Sequence, residues 1–131
     1  MNNELGIKIG KIEKFQDLNV WKEGHQLVIQ IYKISRLFPK EEAFGLTSQI
    51  RRAVVSITSN IAEGFGRQSY KDKHNFYQMA FGSIIEVRNQ LLISRDVGYV
   101  NNSDFQILDE QAVKVEKICR GLIKKSREFY S

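Results

Sequence analysis

Residues 105–129 read FQILDEQAVKVEKICRGLIKKSREF, and the spacing within this stretch decides the fold. Phe105, Leu108, Ala112, Val115, Cys119, Leu122 and Phe129 follow alternating steps of three and four, with Ser126 as the polar interruption. Such steps keep side chains on one face of an α-helix. Sustained over several turns, they form the seam of helices that cross at about 20°. The stretch therefore predicts a helix over about 103–128 that lies lengthwise against near-parallel neighbours.

Three more helical patterns precede it. One begins at Ser69, where Asp72 three residues on gives a capping-box-like start, and stops at Gly98. Another spans about 47–65, with Leu46, Ile50, Ala53, Val54, Ile57 and Ile61 as its apolar stripe. Gly64 and Gly66 are expected to stop it, since glycine accepts the left-handed conformation common after a last turn. A short turn is expected at 41–44. The first helix runs from Asp17, as a cap, or Asn19 to about Leu37, and carries Val20, Leu27, Ile31, Ile34 and Phe38 on one face. Phe38-Pro39 ends it, because the residue before proline is pushed out of the α region. Short connections make sequential helices antiparallel neighbours, so the fold expected is all-α, an antiparallel up-down-up-down four-helix bundle. Residues 17–131 form the bundle domain. Residues 1–16 have no sustained period and read as a loosely ordered N-terminal arm, with a short extended piece near 7–12.

Composition agrees with this reading. Pro39 is the single proline among 131 residues, and long helices tolerate almost none because an interior proline removes a backbone bond and clashes with the preceding turn. With 42% apolar and 27% charged residues, the chain is that of an ordinary globular domain. Cys119 is the sole cysteine, so no internal disulfide forms. No basic segment followed by an apolar run opens the sequence, and no run approaches the roughly 18 apolar residues of a membrane span. A cytoplasmic protein with no membrane partner is expected.

The third helix carries more apolar surface than a bundle interior requires. Tyr77, Ala80, Ile84, Val87 and Leu91 form one stripe, while Phe81, Ile85 and Leu92 form a second, about 100° around the axis. An apolar band left wet in a monomer marks an interface, so a homo-oligomer is expected. A wide buried arc inside a distorted bundle is the other reading.

A search for chemistry returns little. Di-metal bundles use Glu-x-x-His pairs, but Lys22 and Lys71 stand three residues before His25 and His74. Ser48, Ser56 and Ser59 lie in an amphipathic helix with no histidine nearby, where small hydroxylated residues permit close helix packing. Gly64-Phe65-Gly66-Arg67 lacks the Gly-Lys-Ser/Thr ending of a phosphate loop and the flanking aromatics of an RNA-recognition strand. No enzyme, cofactor, metal or small-molecule substrate is expected.

Two features remain. Gln49, Arg52, Ser56, Asn60 or Ser59, Glu63 and Arg67 form a polar stripe on the second helix, opposite the apolar one. It is either a hydrated outer face or a subunit interface in which Arg52 and Glu63 pair across copies. The second feature is basic: the formal net charge is +5, and a positive surface attracts polyanions. Lys117, Arg120, Lys124, Lys125 and Arg127 crowd the end of the fourth helix, and Arg67, Lys71 and Lys73 surround the start of the third. Cations at a helix C-terminus also favour the dipole, and ordinary solubilising charge accounts for such clusters equally well. If phosphates are bound, these are the places, contacting backbone without reading bases.

One set of motifs is familiar. Phe38-Pro39-Lys40-Glu41-Glu42, the run Phe44-Gly45-Leu46-Thr47-Ser48-Gln49-Ile50-Arg51-Arg52-Ala53, and Ser59-Asn60-Ile61-Ala62-Glu63-Gly64-Phe65-Gly66-Arg67 closely resemble the 23S ribosomal RNA intervening-sequence protein family. Val20-Trp21-Lys22, Ile31-Tyr32-Lys33, Gly82-Ser83 and Gln90-Leu91-Leu92-Ile93 fit as well, and the likeness covers about residues 15–128. Thr58 departs from it, since many members carry proline after Ser-Ile. The resemblance implies a bacterial cytoplasmic protein, an antiparallel bundle and a ring-shaped homopentamer. The family name refers to gene location and implies no activity. A bundle family of similar fold, the accessory variability proteins of diversity-generating retroelements, works with a reverse transcriptase and binds nucleic acid through a basic surface. The functional expectation is thus a non-catalytic oligomer that binds structured RNA or DNA. Its rival is a protein-interaction scaffold or accessory subunit of a nucleic-acid enzyme.

Overall fold

A computed structural model describes residues 11–129. Residues 1–10, where most of the expected extended piece falls, and residues 130–131 lie outside the described residues. Four long helices carry the chain: α1 (Asn19–Ser35), α2 (Leu46–Gly66), α3 (Tyr70–Asp96) and α4 (Asn102–Glu128). Short 3-10 turns at Phe15–Asp17 and Lys40–Glu42 precede α1 and α2, and no strand occurs among the described residues.

The helix ends follow local chemistry. Ser69 Oγ accepts from the Asp72 amide at 3.1 Å, and Asn101 Oδ1 accepts from the Asp104 amide at 2.8 Å. Each satisfies a first-turn amide that has no partner within its helix. Gly98 closes α3 with φ +88°, a left-handed conformation that costs glycine nothing. Two expected end signals work differently. Leu18, not Asp17, occupies the cap position of α1, and Asp17 Oδ2 instead accepts from the Glu13 and Lys14 amides at 3.0 and 3.1 Å. Gly64 and Gly66 both lie inside α2, and the chain leaves the helix at Arg67 through extended backbone. Gly64 is small for another reason: a β-carbon there would meet Tyr77 Cε1 at 2.6 Å and Phe76 Cβ at 3.0 Å. It permits α2 and α3 to approach.

Cross-helix pairs fix the topology. Arg51 Nε donates to Ser35 Oγ at 2.8 Å near one end of the α1–α2 pair, and Gly24 faces Thr58 further along. Ser56 Oγ lies 2.9 Å from Ser83 Oγ, while Gly64 meets Tyr77. His74 Nδ1 lies 3.3 Å from Ser126 Oγ, and Arg88 Nε donates to Asp109 Oδ1 at 3.0 Å. Gln111 Nε2 donates to the Glu23 carbonyl at 2.9 Å and ties α4 back to α1. In every sequential pair the numbering runs in opposite directions, so the bundle is up-down-up-down.

The core is formed by the predicted stripes. Leu27, Ile31, Ile50, Val54, Ile57, Ile61, Ile84, Val87, Leu91 and Val115 are fully buried, each contributing on the order of 1.5–3 kcal/mol by leaving water. The end of the α4 seam departs from expectation. Phe129 is 59% exposed, because α4 ends at Glu128 and its ring lies beyond the bundle interior. Ser126, the polar interruption, is buried. Its Oγ donates to the Ile123 carbonyl at 2.8 Å and is therefore free to accept from buried His74.

Candidate nucleic-acid interface

Antiparallel packing brings the C-termini of α2 and α4, the start of α3 and the 3-10 turn at Phe15–Asp17 to one end of the bundle. The Tyr70 and Phe129 rings meet there, with centroids 5.2 Å apart. The cluster at the start of α3 and the one ending α4 are distant in sequence, yet they share this end.

The cations within them differ in state. Lys73 Nζ donates to the Phe65 carbonyl at 2.6 Å and the Gly64 carbonyl at 3.4 Å, so it caps the last carbonyls of α2. Partial burial lowers its pKa. Arg67 pairs with Glu63 at 2.9 Å one turn back and lies over the Phe76 ring at 4.6 Å. Arg120 pairs with Glu116 at 3.2 Å and lies over Phe81 at 5.0 Å. Lys71, Lys117, Lys124, Lys125 and Arg127 are exposed and form no ion pair among the described residues. Of these, Lys117, Lys124 and Arg127 fall with Arg120 within one narrow arc of α4 at 100° per residue. Lys125 alone of these shares a pocket with Tyr70 and Phe129, since the arc lies about 160° around α4 from Phe129.

Some cations of the bundle are paired with carboxylates. Arg88 donates to Asp109 and, at 2.9 Å, to Glu116 on α4; these bonds, Asp109 first, raise its pKa. Lys114 reaches Glu23 at 3.4 Å. Exposed cations without an ion pair among the described residues also stand elsewhere, at Lys22, Lys33, Arg36, Lys40 and Arg52, but Lys71, Lys117, Lys124, Lys125 and Arg127 are concentrated at this end and along the adjoining flank of α4.

The candidate interface residues separate into two groups. Ser56 and Asn60 are half-buried, with Asn60 Nδ2 donating to the Ser56 carbonyl and Oγ at 2.9 and 3.0 Å. With exposed Arg52 they line an open groove of about 760 Å³ beside Tyr32 and Arg51. Glu63 is engaged by Arg67 of its own chain. On α3, Ile85 and Leu92 are 44% and 42% exposed, whereas Phe81 is half-buried under Arg120. Ser83, which meets Ser56, stands about 200° from Ile85 around the α3 axis, so the two groups occupy opposite flanks of that helix.

Several exposed aromatic or aliphatic residues escaped the periodicity, three of them near the ends of the bundle. Phe44 is 100% exposed and Leu37 is 74% exposed in the α1–α2 connection. Tyr99 ties that connection to the α3–α4 turn, with its ring 5.5 Å from Phe38 and its hydroxyl donating to Glu42 Oε2 at 2.8 Å. This tip is the end of the bundle opposite Tyr70 and Phe129, and it carries exposed Arg36 and Lys40 of its own. Tyr70, 46% exposed, is the third, and its sequence signal is only its place immediately before Lys71. Among the described residues no group of three or more His, Cys, Asp or Glu gathers as a metal site would require. No described helix is long and apolar enough to cross a membrane.

Comparison with known proteins follows the same lines. The model of a family described as 23S rRNA-intervening sequence protein matches residues 16–121. A crystal structure from Bacteroides thetaiotaomicron VPI-5482, described as a protein with unknown function from the S23 ribosomal protein family, superposes with a TM-score of 0.75. The match covers 80% of this chain and 98% of that one at 22% identity, a likeness of fold. No curated protein matches the chain.

Proposed function

The chain belongs to the 23S rRNA-intervening sequence protein family, and on that premise we propose that it is a non-catalytic, cytoplasmic, self-associating bundle that binds RNA or another nucleic acid by its phosphate backbone. One observation carries this reading. Lys71, Lys117, Lys124, Lys125 and Arg127 converge on one end and the adjoining flank without carboxylate partners among the described residues. Cations held apart from internal carboxylates keep their charge for an external polyanion.

Self-association is supported by two separate patches, one on α1 and α2 and one on α3. A ring needs two different patches per protomer, one meeting the other on the next copy. The groove beside Arg52, Ser56 and Asn60 supplies one, and exposed Ile85 and Leu92 supply the other. The homopentamer implied by the family resemblance would repeat the basic end five times on one rim.

The test is a binding titration against structured RNA and duplex DNA at two salt concentrations. Affinity that falls steeply with salt supports phosphate contact, and its slope counts the phosphates neutralised. Absence of binding at low salt overturns the reading.

A second reading is favoured by the opposite end. Fully exposed Phe44 with Leu37 offers an apolar tip of the kind that anchors a protein partner. In that reading the bundle is a scaffold or an accessory subunit of a nucleic-acid enzyme such as a reverse transcriptase. Recovery of one protein after nuclease treatment, lost in Phe44→Ala, would favour it.

A further inference from the structure

The basic end is more than a charged surface. Between the 3-10 turn and the ends of α2, α3 and α4 lies a pocket of about 320 Å³, with Phe65, Tyr77 and Leu122 among its apolar walls. Tyr70 and Phe129 also line it, and both rings remain about half exposed. Lys125 stands at the same pocket, and it is the one lysine or arginine lining it that forms no ion pair or hydrogen bond among the described residues. Lys73 also lines it, but its ammonium is committed to the Phe65 and Gly64 carbonyls, so it fixes the wall.

An exposed aromatic pair beside an unpaired lysine matches one ligand chemistry well. An anionic phosphate suits the lysine, and flat apolar bases suit the ring faces. Duplexes keep their bases stacked inside and present only phosphate and groove edges, whereas an unpaired strand can lay a base on a ring. The geometry points to an unpaired nucleotide segment as the occupant of this pocket, with a base stacked on Tyr70 or Phe129 and a flanking phosphate on Lys125. This inference rests on the nucleic-acid reading and narrows it from polyanions in general to single-stranded segments, loops or ends.

The test uses the full chain and three probes of equal phosphate number: a short oligouridine strand, the same strand with its bases removed, and a duplex. The base-free strand keeps the charge and loses only the stacking. Stacking on an aromatic side chain predicts that the intact strand binds about fivefold or more tighter than the base-free one. Phe129→Ala and Tyr70→Ala should narrow that ratio, and Tyr70→Phe should keep it. Lys125→Gln should weaken both strands alike. Both aromatic residues are substantially exposed, and an unchanged helical circular dichroism spectrum confirms that each variant folds. Equal binding of the intact and base-free strands would overturn the stacking inference while leaving phosphate binding in place. Failure of all three probes to bind at low salt would overturn the underlying reading as well.

Discussion

Gly64 on α2 lies so close to Tyr77 on α3 that a β-carbon at position 64 would stand 2.6 Å from the Tyr77 ring. Close approach there lets Lys73 reach back to the last carbonyls of α2. The packing glycine thus helps to shape the wall of the basic end.

Gly64→Ala should therefore destabilise the bundle by about 1–3 kcal/mol, as overpacking does in tight cores. Gly121 also lies within a helix, but nothing stands within 4 Å of a β-carbon there. Gly121→Ala should stabilise by about 0.5–1 kcal/mol, because alanine loses less backbone entropy. Urea denaturation of both variants checks the contrast. Equal effects would show that the α2–α3 approach is not tight.

Glu42 gives a pH dependence at the apolar tip. Its carboxylate accepts from the Leu46 amide at 3.0 Å and from the Tyr99 hydroxyl, and these bonds, the amide first, lower its pKa. A group depressed on folding contributes stability above its unfolded pKa and loses it as pH falls through the folded value. Glu42→Gln should lower the melting temperature at neutral pH, with the gap to the parent protein closing as pH falls below the ordinary carboxylate range. A gap that persists unchanged in acid would contradict the role of the charge.

Cys119 is buried in the seam of α4, and burial pushes its thiol up to about 12, with Glu116 adding to the effect. The reactive thiolate is scarce at that value. Maleimide labelling of the native protein at pH 8 should be roughly a thousandfold slower than labelling in denaturant, from the thiolate fraction alone. Rapid labelling under native conditions would mean that α4 opens locally.

Assembly is read from Ile85 and Leu92, about two-fifths exposed on the outer flank of α3. The paired substitutions Ile85→Glu and Leu92→Glu should reduce the sedimenting mass while helical circular dichroism stays unchanged, since neither residue is in the core. A parent protein that sediments as a monomer would contradict self-association. So would a variant whose mass is unaltered.

Much of the fold was legible because helical periodicity is local. Leu108, Ala112, Val115 and Cys119 stand on one face of their helix whatever it packs against, and all are buried. What sequence spacing lacks is the partner across the gap. Ser126 reads as a break in the stripe until His74 is placed beside it. Gly64 reads as a helix stop until Tyr77 is seen opposite. Phe129 fits the rhythm but falls past the last turn, where the rhythm no longer implies burial.

The candidate site was legible in part for the same reason. Both basic clusters are visible in sequence, and antiparallel packing brings them together. Their chemistry is not, since lysines alike in sequence differ in duty. Lys73 caps α2, whereas Lys71, two residues earlier, faces solvent. Arg67 and Arg120 are paired one turn away with Glu63 and Glu116. The i, i+4 spacing permits such pairs without showing which form.

The most direct measurement is the salt dependence of RNA affinity for the parent protein and for the combined variant Lys124→Gln, Lys125→Gln and Arg127→Gln. If these cations contact phosphates, the variant binds more weakly, and the slope of log affinity against log salt falls by about 2–3 per protomer engaged. Lys73→Gln should instead lower stability through the lost cap. A triple variant with unchanged affinity and slope would contradict the assignment of nucleic-acid binding to the basic end of the bundle.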